Sequence, residues 1–353
     1  MIRESIKKII EDKNLTFKES QEVMREVMSG KATNSQIAAF LTAIRMKGET
    51  VDELIAFAKV MREHCCKIHP YVKNRLVDTC GTGGDKTKTF NISTAAAFVI
   101  AGAGVAIAKH GNRSVTSKSG SADVLENLGL NLSMTPKEVQ NTIERVGVGF
   151  MFAPVFHPAM KYAVQPRREI GIRTVFNILG PMTNPASANA QLLGVYDPRM
   201  TFLMARALKK LGCEEAMVVH GLDGLDEIST LGKTAIAWLR KDEVTTMEVE
   251  PKDFGVKQAC IEDIRGTTPE VSAEILFKIL TGVLTIDDPK TEIVLANSAA
   301  GIIVGGKAED FIYGMTEARR SIESGVAYKK LRQLIKASGG DMSRLERLES
   351  KYG

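Results

Sequence analysis

The sequence predicts an α/β protein in which a small all-helical N-terminal domain precedes a larger domain with a mostly parallel central sheet flanked by helices. Two observations lead to this fold class. The first seventy residues hold only two glycines, Gly30 and Gly48, and repeat apolar residues at helical spacing. After Pro70, short apolar runs alternate with helical segments, a pattern typical of parallel sheets covered by helices. With 353 residues, 44% of them hydrophobic, the chain can bury a large core.

The N-terminal unit reads as about four helices. Thr16 with Glu19, and Thr50 with Glu53, match the capping box that opens a helix. Gly30 and Gly48 stand where helices end. The helical runs are "IRESIKKII", "FKESQEVMREVM", "SQIAAFLTAIRM" and "VDELIAFAKVMREH".

The second part alternates strands with helices. Helices are predicted near 93–103, 135–146 and 200–211, and Thr135 opens the middle one with a proline at its first position. The segment 157–188 interrupts the alternation and could be a hinge, and from about residue 271 amphipathic helices close the outer layer. The predicted strands are "RLVDT", "GVAIAK", "GVGFMFA", "EAMVVHG" and "TAIAWL".

Composition disfavours several classes of protein. The net charge is +5, and the 47 Lys and Arg are spread along the chain, which does not favour nucleic-acid binding. The N-terminus has no signal-peptide pattern, and the longest apolar run, 93–108, is shorter than the roughly 20 residues that span a membrane, so we expect a cytoplasmic protein. The five cysteines form no CxxC pair and no zinc spacing, which is typical of small buried side chains.

The stretch "VDTCGTGGDKTKTFNIST" at 77–94 joins a strand to a helix through a glycine-rich turn. Backbone N–H groups freed by glycine, together with a helix N-terminus, form an anion site. The spacing fits neither GxGxxG nor the P-loop, which argues against a nucleotide of either type. The alternative is a structural turn that only satisfies backbone angles. The turn residues are Gly81, Gly83 and Gly84, and the helix begins with Asn91, Ser93 and Thr94.

A cationic loop, "KHGNRSVTSKSGSADVLENLG" at 109–129, follows the next strand. Lys109, His110, Asn112, Arg113 and Lys118 offer a second contact for an anion beside the glycine-rich turn. Taken alone, it could equally be a solvated surface loop.

An acidic turn, "HGLDGLDEIS" at 220–229, follows a later strand. Asp223, Asp226 and Glu227 carry hard oxygen ligands of the type that holds Mg²⁺ while phosphates complete its coordination. Without a nearby phosphate the turn would be ordinary acidic surface.

Taken together, these segments resemble the anthranilate phosphoribosyltransferase family, whose class includes the pyrimidine nucleoside phosphorylases. The matching motifs follow the family order and cover nearly the whole chain. Two departures are Thr116, where the family often has serine, and the Ala-rich run "NSAAG" at 297–301. The motifs are "GTGGD" at 81–85, "NIST" at 91–94, "KHGNRS" at 109–114, "SGSADVLE" at 119–126, "HPAMK" at 157–161, "RREIGIRTVFNILGPMTNP" at 167–185 and "GLDGLDEIS" at 221–229.

The resemblance implies Mg²⁺-dependent transfer of the phosphoribosyl group of 5-phosphoribosyl 1-pyrophosphate (PRPP) to the amine of anthranilate. The products would be N-(5-phosphoribosyl)anthranilate and pyrophosphate, at the second step of the tryptophan branch from chorismate. It implies two Mg²⁺ ions, held by Ser93, Asp226 and Glu227. Anthranilate would be bound by Gly81, His110, Asn112, His157, Arg167 and Gly180. PRPP would be bound by Gly81, Thr82, Gly83, Gly84, Asp85, Thr89, Asn91, Ile92, Ser93, Thr94, Lys109, Gly111, Asn112 and Ser121.

This chemistry needs no covalent nucleophile, and we nominate none. An aromatic amine is already neutral near pH 7, so catalysis would rest on positioning and on electrostatic stabilisation of the leaving pyrophosphate. The fork of Arg167 suits the carboxylate of anthranilate, with Arg168 as the alternative. His110 and His157 could assist proton removal or be structural.

The resemblance also implies a domain plan and a homodimer formed through the helical domain. Residues 1–72 would form the helical domain, with 160–188 packed on it as a hinge segment. Residues 73–159 and 189–353 would form the PRPP-binding domain. Two other classes stay open: a nucleoside phosphorylase, which would not need the acidic turn, and a non-catalytic nucleic-acid binder, which should show a continuous basic stripe.

Overall fold

The computed structural model describes residues 1–83, 89–114 and 119–352. Capping boxes open α2 at Thr16 and α4 at Thr50, as predicted, and a third opens α3 at Thr33. The helices pack around a core that includes Phe40 and Phe57, whose rings meet edge to face at 5.9 Å. The four N-terminal helices are α1 (Ile2–Ile10), α2 (Phe17–Met28), α3 (Asn34–Lys47) and α4 (Val51–Glu63).

The rest of the chain is built on one seven-stranded sheet with the order β3-β2-β1-β4-β5-β6-β7. The first five strands in that order pair in parallel, and β6 and β7 extend the sheet as an antiparallel hairpin. This confirms the predicted fold class, although β4 and β7 were not predicted. The strands are β1 (Leu76–Gly81), β2 (Ala106–Gly111), β3 (Val148–Phe152), β4 (Ala190–Gly194), β5 (Glu215–Gly221), β6 (Thr234–Arg240) and β7 (Glu243–Val249).

Helices cover both faces of the sheet, and α13 is buried from Thr291 to Val304 rather than amphipathic as predicted. No helix in the described ranges is both long and apolar enough to cross a membrane. The helices of this part are α5 (Ile92–Gly102), α6 (Ser121–Asn127), α7 (Pro136–Val146), α8 (Ala153–Phe156), α9 (Lys161–Ile170), α10 (Val175–Met182), α11 (Arg199–Lys210), α12 (Pro269–Leu280), α13 (Pro289–Val304), α14 (Phe311–Glu323), α15 (Val326–Ala337) and α16 (Ser343–Tyr352).

The segment 157–188 forms two helices that pack on the N-terminal bundle. Helix α9 contacts α2 and α3, and α10 contacts α3 and α4. Arg62 of α4 donates hydrogen bonds to the carbonyls of Met182 and Leu211, which joins the bundle to α10 and α11. Whether this segment acts as a hinge, and where the domains divide, stay predictions.

The strand order places a switch point between β1 and β4. The chain leaves β1 for β2 on one side, and it later returns to the other side of β1 as β4. In parallel sheets, ligands bind in the crevice that such a reversal opens at the carboxyl ends of the strands. Gly81 and Gly194 end the two strands here and are register partners.

Candidate active site

A buried lysine, Lys109, lies near the end of β2, next to the crevice. Its side chain is 4% exposed, and its Nζ donates to the carbonyl of Thr79 and lies 3.4 Å from Ser93 Oγ. Burial lowers the pKa of Lys109, and the neighbouring Asp78 acts in the opposite direction. The ammonium group is therefore held between the end of β1 and the start of α5, at the helix end that attracts anions.

Beneath this lysine lies the fully buried carboxylate of Asp78. Its Oδ1 accepts the His110 N–H at 3.1 Å, and its Oδ2 accepts Asn184 Nδ2 at 2.8 Å. Asn184 also donates to the carbonyl of Ala108. Burial raises the pKa of Asp78 to about 6, while Asn184 and Lys109 lower it. One carboxylate thus connects β1, β2 and the segment that follows α10.

The acidic turn meets the glycine-rich turn directly. The Gly83 N–H donates to Asp226 Oδ2 at 3.1 Å, and the Ser93 N–H donates to Glu227 Oε1 at 3.2 Å. A Cβ on Gly81 would lie 2.8 Å from Asp226 Oδ2, and one on Gly194 would lie 1.6 Å from the Asp226 carbonyl oxygen. Because the contact at Gly194 is with a backbone atom, β4 must end in glycine for the acidic turn to approach so closely, whereas at Gly81 the contact is with the end of a side chain that can shift.

The third acidic residue of the turn has a different role. Asp223 Oδ1 accepts the Leu225 N–H at 3.2 Å, and Asp223 Oδ2 accepts the hydroxyl of Ser229. Its oxygens therefore stabilise the turn itself, and the expectation that Asp223 also offers a metal ligand stays a prediction. The arginine of the cationic loop is likewise already engaged, because Arg113 pairs with Asp123 and Glu126 of α6.

A cavity of about 400 Å³ opens beside the glycine-rich turn. Its walls come from the ends of β1 and β2, from α4, and from the segment 153–183. All six residues assigned to anthranilate by resemblance line it: Gly81, His110, Asn112, His157, Arg167 and Gly180.

Two histidines lie side by side in this cavity. The rings of His110 and His157 are 5.0 Å apart, and the Nε2 atom of each is buried with no hydrogen-bond partner among the described residues. Burial lowers the pKa of His110 to about 3, helped by His157, and lowers that of His157 to about 4. Both imidazoles are therefore neutral near pH 7. Since His110 has a backbone hydrogen bond to Gly180 and His157 one to Thr183, the free Nε2 of each neutral ring accepts one hydrogen bond.

Arg167 projects from α9 into the same cavity. Its guanidinium lies 5.4 Å from the centre of the Phe176 ring, and no ion pair with a described carboxylate holds it. Burial lowers the pKa of Arg167 below the usual arginine value. Arg168, the alternative, is exposed and does not line the cavity. The geometry therefore favours Arg167 as the partner for an anionic ligand there.

The other PRPP residues surround the crevice, with differing access. Thr82 donates its N–H to the Gly194 carbonyl at 2.9 Å. Ile92 and Thr94 are buried, and their N–H groups donate to the carbonyls of Phe90 and Asn91. Gly84, Asp85 and Lys118 lie outside the described residues. Of the remaining ones, Thr89 forms a β-bridge with Arg265, and Asn91 forms hydrogen bonds with Ser119. Gly111, Asn112 and Ser121 lie where β2 meets α6.

The oxygen atoms at the acidic turn fit a magnesium ion. Asp226, Glu227 and the Ser93 hydroxyl are hard ligands, and Mg²⁺ takes one or two carboxylates when substrate phosphates complete its shell. Across the described ranges, no cluster of three or more His, Cys, Asp or Glu side chains could hold a metal by itself.

Sequence reasoning missed Asp78, Asn184, Gly194 and Asn297. Asp78 and Asn297 each place a polar side chain in a largely apolar run, "RLVDTC" and "EIVLANSAAGIIV". Since a buried polar group must be hydrogen-bonded, that pattern was an available signal. Gly194 ends a strand that was itself not predicted.

Comparison with known proteins agrees with this geometry. Residues 3–65 match the helical bundle domain of a glycosyl transferase family, and 73–328 match its a/b domain. The anthranilate phosphoribosyltransferase of Acetivibrio thermocellus is 50% identical over 97% of this chain and 98% of its own.

Solved structures give the same result. The anthranilate phosphoribosyltransferase of Thermus thermophilus superposes with a TM-score of 0.89 at 39% identity, covering 95% of this chain and 99% of its own. That of Saccharomyces cerevisiae in complex with PRPP and Mg has a TM-score of 0.88 at 28% identity, covering 96% and 98%. A further yeast structure, with a TM-score of 0.86 at 27% identity and coverage of 96% and 98%, contains 4-fluoroanthranilate. On this similarity along almost its full length, the chain belongs to the anthranilate phosphoribosyltransferase family and is an enzyme of the glycosyltransferase class.

Proposed function

We propose that this enzyme transfers the phosphoribosyl group of PRPP to the amine of anthranilate with the help of Mg²⁺, and that it serves the second step of the tryptophan branch from chorismate. The observation that carries the proposal is the position of Gly81. It lines the 400 Å³ cavity and also lies against Asp226 of the acidic turn. A donor at the turn and an acceptor in the cavity would therefore meet at this residue.

On the donor side, the diphosphate of PRPP lies between the glycine-rich turn and the start of α5. The N–H groups of Gly83 and Ser93, which donate to carboxylates in the structure, would turn to phosphate oxygens. Ser93, Asp226 and Glu227 would then hold Mg²⁺, in one or two ions. Bound there, Mg²⁺ supplies positive charge that stabilises the leaving pyrophosphate. Lys109 adds a buried cation close to the same oxygens.

On the acceptor side, the cavity holds the aromatic ring. Arg167 binds the carboxylate, and the neutral imidazoles of His110 and His157 accept hydrogen bonds through Nε2 at the ring edge. The acceptor amine is then directed at the sugar C1 beside Gly81. The C1–O bond to pyrophosphate breaks as the N–C1 bond forms, and the proton that the amine loses passes to the free Nε2 of His110 or His157. Enclosure of both substrates keeps water away from the oxocarbenium-like sugar.

The test is to mix purified protein with PRPP, Mg²⁺ and anthranilate and to follow loss of anthranilate fluorescence. We expect loss that requires all three components. Phosphorolysis of pyrimidine nucleosides in the same preparation would instead support the phosphorylase alternative. Retention on nucleic acid without turnover would support the non-catalytic one.

We also propose that the helical domain forms a homodimer interface. Ile10 and Met46 are 70% and 84% exposed on that domain, and exposed apolar side chains favour a partner surface. Light scattering should give twice the mass of one chain, and Met46→Glu should lower it toward that of a monomer. A monomeric wild type would contradict this part of the proposal.

A further inference from the structure

We propose that Asn297 is a positioning residue that fixes the acidic turn from within the core. Its Oδ1 accepts the N–H of Ile228 at 2.9 Å, and its Nδ2 donates to the carbonyl of Ile228 at 2.9 Å. Nδ2 also donates to the carbonyl of Ile293 in its own helix, α13. Ile228 directly follows Glu227, so the amide of Asn297 holds both backbone groups of the residue beside the proposed metal ligand.

The contact specifies one orientation of the amide. Asn297 is fully buried, and both of its donor hydrogens are directed at carbonyl oxygens. If the amide were reversed, its NH₂ group would face the Ile228 N–H and its oxygen would face two carbonyls. Since buried polar groups without partners are costly, the turn and the helix are locked in one relative position.

The helix that carries Asn297 also contacts the opposite wall of the proposed metal site. Helix α13 packs on α5, where Gly301 lies so close that a Cβ there would be 2.2 Å from Ile100 Cδ1. Helix α5 begins beside Ser93, whose N–H donates to Glu227. One packed helix pair therefore sets the distance between Ser93 and Glu227, with Asn297 as its link to the turn.

The chain provides a matched control in the next residue. Ser298 is equally buried, but its hydroxyl donates only to the carbonyl of Val294, within α13. Ser298→Ala removes a buried hydrogen bond from the same helix without touching the acidic turn. Asn297→Leu keeps the branched shape and the number of heavy atoms but loses every hydrogen bond, whereas Asn297→Asp keeps the acceptor and loses both donors.

The first measurement is hydrogen exchange of the peptide that spans 222–230. In the wild type, the Ile228 amide should exchange as slowly as amides of the core sheet. In Asn297→Leu it should exchange at least about tenfold faster, and in Ser298→Ala it should not change. In Asn297→Asp, which still accepts the Ile228 N–H but turns its second oxygen toward two carbonyls, the increase should be smaller than in Asn297→Leu. Fast exchange of Ile228 in the wild type, or equal exchange in the Asn297 and Ser298 variants, would overturn the proposal. The wild-type measurement decides even if a variant does not fold.

The consequence for metal binding rests on the proposed function. Mn²⁺ titration by electron paramagnetic resonance, with PRPP and no acceptor, should show about 10- to 100-fold weaker binding in the Asn297 variants. The KM for anthranilate should stay close to that of the wild type. If Asp226→Asn binds Mn²⁺ as the wild type does, the metal assignment is wrong, while the exchange of Ile228 still decides whether Asn297 fixes the turn.

Discussion

Gly81 and Gly194 are register partners at the carboxyl ends of β1 and β4, and Asp226 covers both. Strand ends of this kind are where parallel sheets bind ligands. Because Gly81 and Gly194 have no side chains, the acidic turn can enter the crevice. The carboxylate of Asp226 therefore lies beside the glycine-rich turn. The predictions below follow from this arrangement and from the cavity next to it.

Adding a methyl group at Gly194 should displace the acidic turn. The new Cβ would lie 1.6 Å from the Asp226 carbonyl oxygen, a backbone atom that can move only if the turn itself moves. Gly194→Ala should therefore lower kcat and raise the Mg²⁺ concentration needed for half-maximal rate. Gly232→Ala is the control, since its Cβ would have only an ordinary contact at 3.7 Å. Steady-state rates across a Mg²⁺ series check this, and equal curves for both variants would contradict it.

Neutralising the acidic pair should weaken metal use. Asp226→Asn and Glu227→Gln keep the size of each side chain and remove its charge, so turnover should fall and more Mg²⁺ should be required. Glu248→Gln, an exposed change on β7, serves as the control. An unchanged Mg²⁺ dependence in the Asp226 and Glu227 variants would remove the metal assignment.

Removing the guanidinium from the cavity should affect the acceptor alone. Arg167→Ala should raise the KM for anthranilate about 10- to 100-fold, the range of a charged hydrogen bond, and change the KM for PRPP little. Arg168→Ala should change neither, because this neighbour is exposed outside the cavity. Similar effects of Arg167→Ala on both substrates would exclude its proposed role.

The paired histidines should stay neutral down to low pH. Burial lowers the pKa of His110 to about 3 and that of His157 to about 4. Below pH 6.5 these two histidines become protonated in the unfolded chain but stay neutral in the folded protein. Their contribution to stability is therefore complete above pH 6.5 and is lost as the pH falls toward 4 and 3. His110→Gln and His157→Gln should each reduce the loss of unfolding free energy between pH 7 and pH 4.5.

Urea unfolding at the two pH values measures this loss. His69→Gln removes an exposed ring and serves as the control. NMR shifts of the His110 and His157 rings should stay constant from pH 5 to 8, and a transition near pH 6.5 would show that the folded protein protonates them.

Replacing the buried carboxylate should damage both halves of the site. In Asp78→Asn, an amide NH₂ can face the NH₂ of Asn184 or the N–H of His110, so one contact is lost in either orientation. The free energy of unfolding should fall by about 3 kcal/mol, and KM should rise for both PRPP and anthranilate. Asn189→Ala serves as the control for Asp78→Asn, because the Asn189 side chain accepts the Leu76 N–H at the other end of β1. It should lower stability and leave both KM values unchanged.

The sequence allowed five of the seven strands and the glycine-rich turn to be placed, and the reasons for the two misses are local. Strand β4 is only five residues long and follows a proline-containing segment, so no alternation was visible. Strand β7 follows a turn in which Lys241 and Asp242 take positive φ values of 49° and 63°, conformations that usually signal Asn-Gly. Neither strand is bounded by the turn residues that usually mark a hairpin or a parallel strand.

The residues of the site could be predicted where they belong to contiguous sequence motifs. The buried residues that hold those motifs in place could not. His110, His157 and Arg167 were placed through motifs, and the structure gathers them in one cavity. Asp78 and Asn297 act on the backbone of other segments, 32 and 69 residues away in sequence. No local sequence pattern predicts which distant peptide group such a side chain will bind by hydrogen bonds.

The shared carboxylate at the base of the crevice has a consequence for redesign. Asp78 holds His110 on the acceptor side and lies next to Lys109 on the donor side, so altering the near wall of the cavity to admit a bulkier aromatic amine should also disturb the sugar diphosphate. Val164 of α9 and Phe176 of α10 also line the cavity, and they lie on helices rather than on the two strands that Asp78 joins. Libraries that seek new amine substrates should begin there.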